Sequence, residues 1–586
     1  MNDRGMLYPA VEYGDMRQLM QATVRAYSER DAFILKHATK ERVDYEHITY
    51  EAFGRDIIAL GTALIKRGFG RKRLAIIGKN SYPWITGYFS GLTGGLVVVP
   101  LDKGLTLAEI ESCLIRSRAD VLLFDPEHLE YIKALEKEGT TCVSLMVSME
   151  SSEEYLTFDQ LIKEGNALRE QEDRSYEETE IHADEMSLIL FTSGTTSASK
   201  AVMLSHRNLA SNIYALNCCE EIFPTDVNIA FLPFHHTFSS TGITFILSKG
   251  ATNVFCDGLK YIAQNLKEYQ VSVFICVPLI IEAIYKKIFQ QAKKQGKDVL
   301  LRRMMKLSSI LLKLGIDVRR KLFHSVLEQL GGKLRFVISG AAAISPEVAK
   351  GFNELGILTV QGYGLTETAP VLTAENAKSI RTGSVGVSMC NVKLKIHEPN
   401  ENGIGEVIAQ GPNVMLGYYE NPEESAKVLR DGWFFTGDLG YMDEDGFLFL
   451  SGRKKNVIVL KNGKNIYPEE LEILLNKLPY LEESMVFGWE KGDDYVISAK
   501  LVYKEDTILE MYPEFKGEDG LEKERFSEMV QKDIDEINAL MPAYKHIKRL
   551  LLNDEPTVKT TTAKVKRFEE IKRLEEQMHK QSAPPV

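Results

Sequence analysis

A short stretch in the first half of the chain has the composition of a phosphate-binding loop. Residues 191–202 read FTSGTTSASKAV, so hydroxyl side chains and a glycine lead to a single lysine, Lys200. The apolar run before them, Leu188 to Phe191, is typical of a buried strand, and the small residues leave backbone N–H groups uncovered. Phosphate oxygens would bind those N–H groups, with Lys200 as the counter-charge. An ordinary surface loop is the alternative, because serine, threonine and glycine are also common in turns.

The same stretch departs from the Walker pattern G-x-x-x-x-G-K-[ST] of nucleoside triphosphatases. Ser199 stands where the second glycine belongs, and Ala201 stands where the hydroxyl that binds Mg²⁺ belongs. A Walker-type nucleoside triphosphatase is therefore the weaker interpretation.

A second stretch combines an aromatic ring, a hydroxyl and a carboxylate between glycines. Residues 361–368 read QGYGLTET and follow the apolar residues 357–360. Tyr363 would stack on a base, Thr366 would meet a phosphate, and Glu367 would hold a hard cation such as Mg²⁺. Taken alone, the stretch is explained equally well by a turn with one exposed acid.

Three further stretches carry single charged residues in loop-like surroundings. They are residues 432–438 (GWFFTGD), 451–455 (SGRKK) and 559–567 (KTTTAKVKR). Asp438 suits bidentate hydrogen bonding to a ribose diol, with Arg453 near the same sugar or a phosphate. The alternatives are a β-turn with a surface arginine and, for the third stretch, a plain basic run.

Length and composition indicate a soluble, cytoplasmic protein of several domains. The 586 residues exceed what one core accommodates, and 44% hydrophobic with 26% charged residues is an ordinary globular composition. No secretory signal is visible, and the longest apolar stretch, residues 271–281, is too short to span a membrane. The net charge of −11 argues against nucleic acid as a partner. We interpret the seven scattered cysteines as reduced core thiols.

The elements that must position these stretches alternate between strand and helix patterns. From about residue 50 to 270, short Val/Ile/Leu-rich runs alternate with amphipathic helical patterns such as residues 50–67, which is typical of parallel βαβ units. The runs at 95–101, 121–124 and 187–191 are each expected to form a strand. Short β-like runs between about 380 and 450 predict a small antiparallel sheet or barrel. The predicted fold is α/β: a large N-terminal domain (1–452) of parallel βαβ sheets with a small β-barrel-like subdomain, a hinge (453–455), and a small mobile α+β C-terminal domain (456–586).

A mostly helical segment within the large domain is strongly basic. Residues 286–333 contain thirteen Lys and Arg against three acids. A helix pair packed on the large domain with a solvated basic face explains this. A peripheral contact with the inner face of a membrane is the alternative.

In their order and separation, the five stretches together resemble the adenylate-forming (ANL) superfamily, which includes acyl-CoA synthetases, adenylation domains of peptide synthetases and luciferases. Residues 405–406 (GE), 411–412 (GP), 417–418 (GY) and 232–236 (LPFHH) also match motifs of that superfamily. The resemblance covers nearly the whole chain. It implies that ATP and an acid form an acyl-adenylate, that the small domain then rotates, and that a thiol attacks the acyl carbon.

The resemblance also implies a role for individual residues. Lys564 would bridge the substrate carboxylate and the α-phosphate, Thr366 would contact the α-phosphate, and Glu367 would be the Mg²⁺ ligand. The other expected contacts are with ATP or AMP (Thr192, Ser193, Gly194, Thr195, Thr196, Lys200, Gly340, Ala341, Ala342, Gln361, Gly362, Tyr363, Gly364, Asp438 and Arg453), with the acyl chain (His236 and Phe238), with CoA (Gly463) and at the hinge (Lys455).

Four positions depart from the superfamily pattern. Ser197, Ser199 and Ala201 replace Gly, Pro and Gly in the phosphate loop, and Ala563 replaces the glycine before the expected catalytic lysine. A side chain at these positions limits positive φ and close backbone approach, which bears on turnover rather than on the charged groups.

The expected substrate is a long-chain fatty acid, with CoA as the acceptor. Residues 234–236 contain no aspartate to pair a substrate ammonium, and the insertion near 285–325 resembles that of fatty acyl-CoA synthetases. Transfer to an acyl carrier protein and a non-catalytic nucleotide-binding or acyl-AMP-binding protein are the alternatives. His236 has an alternative role as a hydrogen-bonded structural histidine.

Overall fold

The computed structural model describes residues 3–39, 42–192, 199–461, 464–491, 494–518, 520–559 and 565–582. The chain divides into two compact units. The first comprises Met1–Leu394, Ala409–Phe434 and Glu444–Leu448, and the second comprises Lys395–Ile408, Phe435–Asp443 and Phe449–Val586. The second unit thus takes in two segments from the middle of the sequence.

An eight-stranded sheet in the first unit confirms the predicted parallel βαβ pattern. Most neighbouring strands are parallel, as where Ala75 pairs with Val99 on one side and with Leu122 on the other. The strands at the phosphate-loop edge are antiparallel. From edge to edge the strands are Gly417–Tyr418, Lys200–Ser205, Met186–Thr192, Val97–Leu101, Arg73–Ile77, Val121–Phe124, Leu145–Ser148 and Leu156–Thr157.

A nine-stranded sheet forms the other half of the first unit. Its centre is parallel, and antiparallel strands extend it at both ends. In order the strands are Val387–Ser388, Val371–Ala374, Leu358–Gly364, Phe336–Ser339, Val273–Cys276, Val227–Ala230, Thr252–Phe255, Asp31–Ala38 and Val43–Thr49. One hydrophobic core contains residues of both sheets and of the helices that lie with them, including Leu74, Phe89 and Ile275.

The first unit is rich in helices, as its amphipathic patterns predict. The predicted helix over residues 50–67 begins at Tyr50, where the Thr49 hydroxyl accepts a hydrogen bond from the backbone N–H of Ala52, and ends at Leu64 before a π-turn. The α-helices of this unit are Met16–Tyr27, Tyr50–Leu64, Tyr82–Thr93, Leu107–Ser117, Leu129–Glu138, Phe158–Glu170, Ser175–Glu178, His206–Cys219, Thr237–Ser248, Ile262–Glu268, Pro278–Lys294, Asp298–Lys313, Arg319–Leu322, His324–Leu327, Pro346–Glu354 and Pro422–Val428.

The β-rich region predicted between about 380 and 450 is a five-stranded sheet. Lys393–His397, Gly405–Gln410, Trp433–Met442 and Leu429–Arg430 follow one another in it, and Leu448–Arg453 pairs with Trp433–Met442. This agrees with the predicted small subdomain.

The second unit has an α+β core, as expected. Three strands, Leu481–Lys491, Asp494–Tyr503 and Arg549–Asn553, form its main sheet, and two short strand pairs, Ile458–Val459 with Asn465–Ile466 and Lys516–Gly517 with Gly520–Leu521, accompany it. Its α-helices are Pro468–Leu475, Glu505–Met511, Lys523–Ala539 and Arg567–Ser582. Val530 and Ile534 of the long helix pack on sheet residues such as Leu501.

In the described part of the chain, no helix is both long and apolar enough to cross a membrane.

Candidate active site

The predicted phosphate loop connects two antiparallel strands. Met186–Thr192 and Lys200–Ser205 pair with Thr192 opposite Lys200, and the Thr192 hydroxyl donates a hydrogen bond to the Lys200 carbonyl at 3.3 Å. A Walker loop instead runs from a strand into a helix. The antiparallel strand pair therefore argues against a Walker-type nucleoside triphosphatase. The predicted phosphate contacts Ser193, Gly194, Thr195 and Thr196 lie outside the described residues.

Arg116 holds the end of this loop. Its guanidinium donates to the Ser199 hydroxyl at 3.0 Å and to the Ser199 carbonyl at 2.7 Å, and it lies 5.0 Å from the centre of the Phe191 ring. The position that departs from the superfamily pattern is therefore used here as an anchor.

Lys200 has two partners in the first unit. Its ammonium lies 2.8 Å from a carboxylate oxygen of Glu424 and 4.6 Å from the centre of the Tyr418 ring. Hydrogen bonds from Lys200 and Lys427 lower the pKa of Glu424 to about 2, so this carboxylate is ionised at neutral pH. A polyphosphate arriving at Lys200 would compete with Glu424 for the ammonium.

Tyr418 connects Lys200 to the predicted metal ligand. Its hydroxyl donates a hydrogen bond to Oε1 of Glu367 at 3.0 Å, while the face of its ring lies against the lysine ammonium. Tyr418 reaches this place because its short strand pairs with Lys200–Ser205. Three motifs that are far apart in the sequence therefore meet around one tyrosine side chain.

The surroundings of Glu367 fit a Mg²⁺ ion carried in with a nucleotide. Among the described residues, no group of three or more His, Cys, Asp or Glu side chains is arranged to hold a metal. Mg²⁺ in nucleotide sites is commonly held by one or two carboxylates, with phosphate oxygens and water completing the shell. Glu367 is half-buried in a 3₁₀ turn, Thr366–Thr368, that directly follows the strand Leu358–Gly364.

The segment 234–238, which contains the predicted acyl contacts His236 and Phe238, approaches residues predicted to bind the nucleotide. We call it the predicted acyl segment, and two contacts at its C-terminal end show the approach. The hydroxyls of Thr237 and Thr366 lie 3.5 Å apart. Gly340 lies so close to Phe238 that a Cβ atom on it would be 2.7 Å from the ring. A larger residue at position 340 would therefore displace Phe238.

His236 makes a hydrogen bond of the kind that a structural histidine makes. Its Nδ1 accepts a hydrogen bond from the backbone N–H of Phe238 at 3.3 Å and caps the helix Thr237–Ser248. The neighbouring His235 lies 3.5 Å from a carboxylate oxygen of Asp102, and burial lowers the pKa of His235. Contact of His236 or Phe238 with an acyl chain stays a prediction.

Several residues predicted to contact ATP or AMP lie at the ends of two neighbouring strands. Gly362 and Tyr363 are half-buried in Leu358–Gly364, and the buried Gln361 uses its side-chain amide to donate to the Ser384 carbonyl at 2.6 Å. Gly340, Ala341 and Ala342 follow the strand Phe336–Ser339. Ala341 has a positive φ of 72°, and Ala342 is exposed. Gln361 thus fixes the strand end, and base stacking on Tyr363 stays a prediction.

A second cluster lies within the second unit. Nε of Arg453 is 2.6 Å from a carboxylate oxygen of the buried Asp438. Glu406 accepts a hydrogen bond from the backbone N–H of Gly437 at 3.1 Å and lies 2.8 Å from the ammonium of Lys454. The two predicted ribose contacts are thus direct partners of each other.

Lys564 lies outside the described residues, but the chain on both sides of it is anchored. Lys559 and Val565 form a β-bridge, and the backbone N–H of Lys566 donates to the Val558 carbonyl at 2.8 Å. The backbone N–H of Val558 donates in turn to Glu570, whose carboxylate forms a fully buried 2.6 Å ion pair with Lys500. The two ends of the segment that carries Lys564 are therefore held side by side.

Two other predicted residues have little structural detail. Lys455 is exposed in the 3₁₀ turn Lys454–Asn456. Gly463, the expected CoA contact, lies outside the described residues. Both roles stay predictions.

Comparison with known proteins decides the family. Residues 20–419 match the AMP-binding enzyme family, and residues 455–581 match the AMP-binding enzyme C-terminal domain. The chain belongs to the AMP-binding enzyme family. It is thus a member of the adenylate-forming superfamily, as the motifs predict.

The relatives of this AMP-binding enzyme include acid–thiol ligases of several kinds. It is 28% identical to long-chain-fatty-acid–CoA ligase 5 of Rattus norvegicus, over 95% of this chain and 87% of that protein. It is 26% identical to a chloroplastic long-chain-fatty-acid–[acyl-carrier-protein] ligase of Arabidopsis thaliana, over 76% of this chain and 71% of that protein. An anthranilate CoA ligase in complex with anthranoyl-AMP has the same fold, with a TM-score of 0.74, 20% identity and coverage of 97% and 98% of the two chains.

Sequence reasoning missed Glu424, the carboxylate that pairs with Lys200 in this AMP-binding enzyme. It lies in the first turn of Pro422–Val428, where an acidic residue is explained by the helix dipole alone. Its partner Lys200 is 224 residues away in the sequence. No local signal connects the two, and only the pairing of the strand Gly417–Tyr418 beside Lys200–Ser205 brings them together.

Gly364 has no room for a side chain, and we expect its replacement by alanine to damage the site of this AMP-binding enzyme. A methyl group there would overlap the carbonyl oxygen of Pro370, a backbone atom in the hairpin that carries Thr366 and Glu367. The expected result is a loss of about 1–3 kcal/mol in unfolding free energy and a loss of adenylation rate. Thermal unfolding and an adenylation assay measure the two effects.

Gly70→Ala is the matched control, because its added methyl would meet only the Ile65 side chain at 3.7 Å. If Gly364→Ala matched the wild type in both measurements, the hairpin would accommodate a methyl group at position 364, contrary to the structure.

Proposed function

We propose that this AMP-binding enzyme converts a long-chain fatty acid and ATP to an acyl-adenylate and pyrophosphate, and then transfers the acyl group to the thiol of CoA. The observation that carries the proposal is the convergence in the first unit: Lys200, Tyr418 and Glu367 form one connected group. Thr366 precedes Glu367 in the same turn, and its hydroxyl lies 3.5 Å from that of Thr237, next to the predicted acyl contacts His236 and Phe238. The groups proposed to bind phosphate are thus close to the segment proposed to bind the acyl chain.

The chemistry explains why these groups are needed. A carboxylate resists attack by a thiol because its oxygen is a poor leaving group, whereas an acyl-adenylate releases AMP. Negative charge builds up on the phosphate oxygens as the adenylate forms, and fixed positive charge stabilises it more in the transition state than in the ground state. Lys200 would bind the β- and γ-phosphates, and Lys564 would bridge the carboxylate and the α-phosphate. Mg²⁺ held at Glu367 would neutralise further phosphate charge.

The substrate side of the site favours an apolar acid. The segment 234–238 contributes no acidic side chain that would pair a substrate ammonium. Together with the relatives that act on long-chain fatty acids, this supports a fatty acid over an amino acid.

CoA is the proposed acceptor, and an acyl carrier protein is the second candidate because one relative bears that activity in its name. The test supplies ATP and Mg²⁺ with either CoA or a phosphopantetheinylated acyl carrier protein, and offers acetate, anthranilate, octanoate and palmitate as acids. Mass spectrometry of the thioesters identifies both partners. We expect palmitoyl-CoA to form fastest. If palmitoyl carrier protein formed and palmitoyl-CoA did not, CoA would be excluded as the acceptor. If anthraniloyl-CoA were the main product, a fatty acid would be excluded as the preferred substrate.

We propose that Lys455 lies at a hinge used between the two half-reactions. Proline fixes φ, so Lys455→Pro is expected to leave adenylation nearly intact and to slow thioester formation. The two half-reactions are measured separately. Lys455→Ala is the control for the lost side chain, so the difference between the two variants reports the effect of backbone rigidity. If both half-reactions of Lys455→Pro ran at wild-type rates, the hinge would lie elsewhere.

A further inference from the structure

The helix Asp298–Lys313 has one face in the protein core. Leu301 and Met305 are buried in the hydrophobic cluster that also contains Ile288 and Phe352. Ser308 is buried as well, and its hydroxyl lies within hydrogen-bond distance of the carbonyls of Met305 and Glu354. This side fastens the helix to the first unit, which confirms the predicted packing of the basic segment on the large domain.

The opposite face of the same helix presents apolar side chains to solvent. Leu300, Leu307, Ile310 and Leu314 follow one another at intervals of seven, three and four residues, which places them along one side of a helix. Each is more than half exposed, and Leu314 is 71% exposed. Val299 and Ile316 are also more than half exposed at the two ends of this row. A surface helix normally turns such a stripe inward, and exposed apolar residues in a group mark an interaction site.

Positive charge lies beside this apolar stripe. Arg303, Lys306 and Lys313 are exposed on the same helix, and the segment 286–333 carries thirteen basic and three acidic residues in a protein whose net charge is −11. The face therefore combines apolar and cationic side chains.

Three arginines of the segment have structural tasks instead. Arg319 donates to the Asn353 carbonyl and pairs with Asp317, and Arg320 donates to the carbonyls of Gly332 and Leu334. Arg302 lies over the Phe289 ring at 4.5 Å. Neutralising these three would disturb the fold, so a test of the surface must use Arg303, Lys306 and Lys313.

We propose that this face of the helix Asp298–Lys313 binds the surface of an anionic lipid bilayer. The apolar stripe would enter the boundary between headgroups and acyl chains, and the basic residues beside it would meet the anionic headgroups. Each basic residue close to such a surface raises membrane affinity about fivefold at moderate ionic strength. Binding would be reversible and sensitive to salt.

The charge distribution argues against the two other occupants of such a face. In a twofold-symmetric pair of copies the same patch meets itself, so like charges would be brought together. A nucleic acid would use the basic residues but not the exposed apolar stripe between them. A bilayer with anionic headgroups uses both features.

Co-sedimentation of the full chain with vesicles tests the proposal independently of any enzymatic activity. The probes are vesicles of pure phosphatidylcholine and of equimolar phosphatidylcholine and phosphatidylglycerol, each at low and high salt. We expect binding to the anionic vesicles that weakens at high salt, and little binding to pure phosphatidylcholine. Absence of binding to anionic vesicles, or equal binding to both lipids, would overturn the proposal.

Two triple variants separate the contributions of charge and apolar contact. Arg303→Gln, Lys306→Gln and Lys313→Gln together should lower the partition coefficient about a hundredfold. Leu307→Gln, Ile310→Gln and Leu314→Gln together should lower it at least tenfold, since glutamine keeps helix propensity while removing apolar area. All six positions face solvent, so circular dichroism and thermal unfolding should match the wild type.

Matched controls change equally exposed residues elsewhere. Lys137→Gln, Lys378→Gln and Lys393→Gln form the charge control, and Val11→Gln, Ile115→Gln and Leu540→Gln form the apolar control. Both controls should bind vesicles like the wild type. Equal losses of vesicle binding in the control and test variants would overturn the proposal. It would also be overturned if the wild type self-associated and the apolar triple variant became monomeric with unchanged vesicle binding.

Discussion

Replacing Lys564 with alanine is expected to slow acyl-adenylate formation about a hundredfold or more, the effect of removing one preorganised charge from a developing oxyanion. The second half-reaction, from supplied acyl-adenylate and CoA, should keep a near wild-type rate, because the ammonium is proposed to act only while ATP reacts. Rapid-quench measurements of the two half-reactions report both rates.

The anchored ends of the segment make this prediction specific to the side chain. The bridge between Lys559 and Val565 and the Glu570 hydrogen bond to Val558 do not involve the Lys564 side chain. Lys566→Ala is the control, since it removes a nearby ammonium that pairs with Glu569. A parallel loss of both half-reactions in Lys564→Ala would show that the lysine serves the structure of the C-terminal region instead.

Replacing Glu367 with glutamine is expected to reduce adenylation by about a hundredfold at low Mg²⁺, with partial recovery as Mg²⁺ is raised. A neutral amide is a poor ligand for a hard cation, while its oxygen still accepts the hydrogen bond from Tyr418. The substitution therefore removes charge and keeps shape. A Mg²⁺ titration of the adenylation rate measures the effect.

Tyr418→Phe is the companion variant for this titration. It keeps the aromatic ring under Lys200 and the charge of Glu367, but it removes the hydrogen bond between the tyrosine hydroxyl and the carboxylate. Its loss should be smaller than that of Glu367→Gln. A Mg²⁺ dependence of Glu367→Gln that equals that of the wild type would remove Glu367 from the metal site.

Local pattern was sufficient for much of the fold. The strand expected at Val121–Phe124 has those bounds, and the strand expected at 187–191 extends by one residue at each end. Buried parallel strands are short apolar runs, which single sequences reveal well. The strand expected from residue 95 begins only at Val97, because Gly95 has a φ of 82° and cannot join an extended strand.

Long-range pairing was the part that local pattern could not supply. The antiparallel edge that sets Gly417–Tyr418 beside Lys200–Ser205 depends on strands more than two hundred residues apart. The Lys200–Glu424 pair follows from that register, as does the link from Tyr418 to Glu367. Periodicity identifies which residues lie in strands but carries no information on which distant strand lies next to them.

The candidate site was accessible mainly through its motifs. Each stretch taken alone had a structural alternative. In the structure the Gln361 amide donates to a neighbouring carbonyl and His236 caps a helix, and their contacts with a nucleotide or an acyl chain stay predictions. The charged residues Lys200 and Glu367 are linked through Tyr418, and Asp438 and Arg453 are paired within the second unit.

The central claim, that the chain forms acyl-adenylates from fatty acids, is tested most directly by the exchange of labelled pyrophosphate into ATP without CoA. Exchange requires reversible adenylate formation and nothing later in the reaction. We predict exchange that depends on both Mg²⁺ and a long-chain fatty acid, that is weak with acetate and amino acids, and that is lost in Lys564→Ala. A chain that binds ATP yet catalyses no exchange with any acid offered would contradict the claim and favour a non-catalytic nucleotide-binding protein.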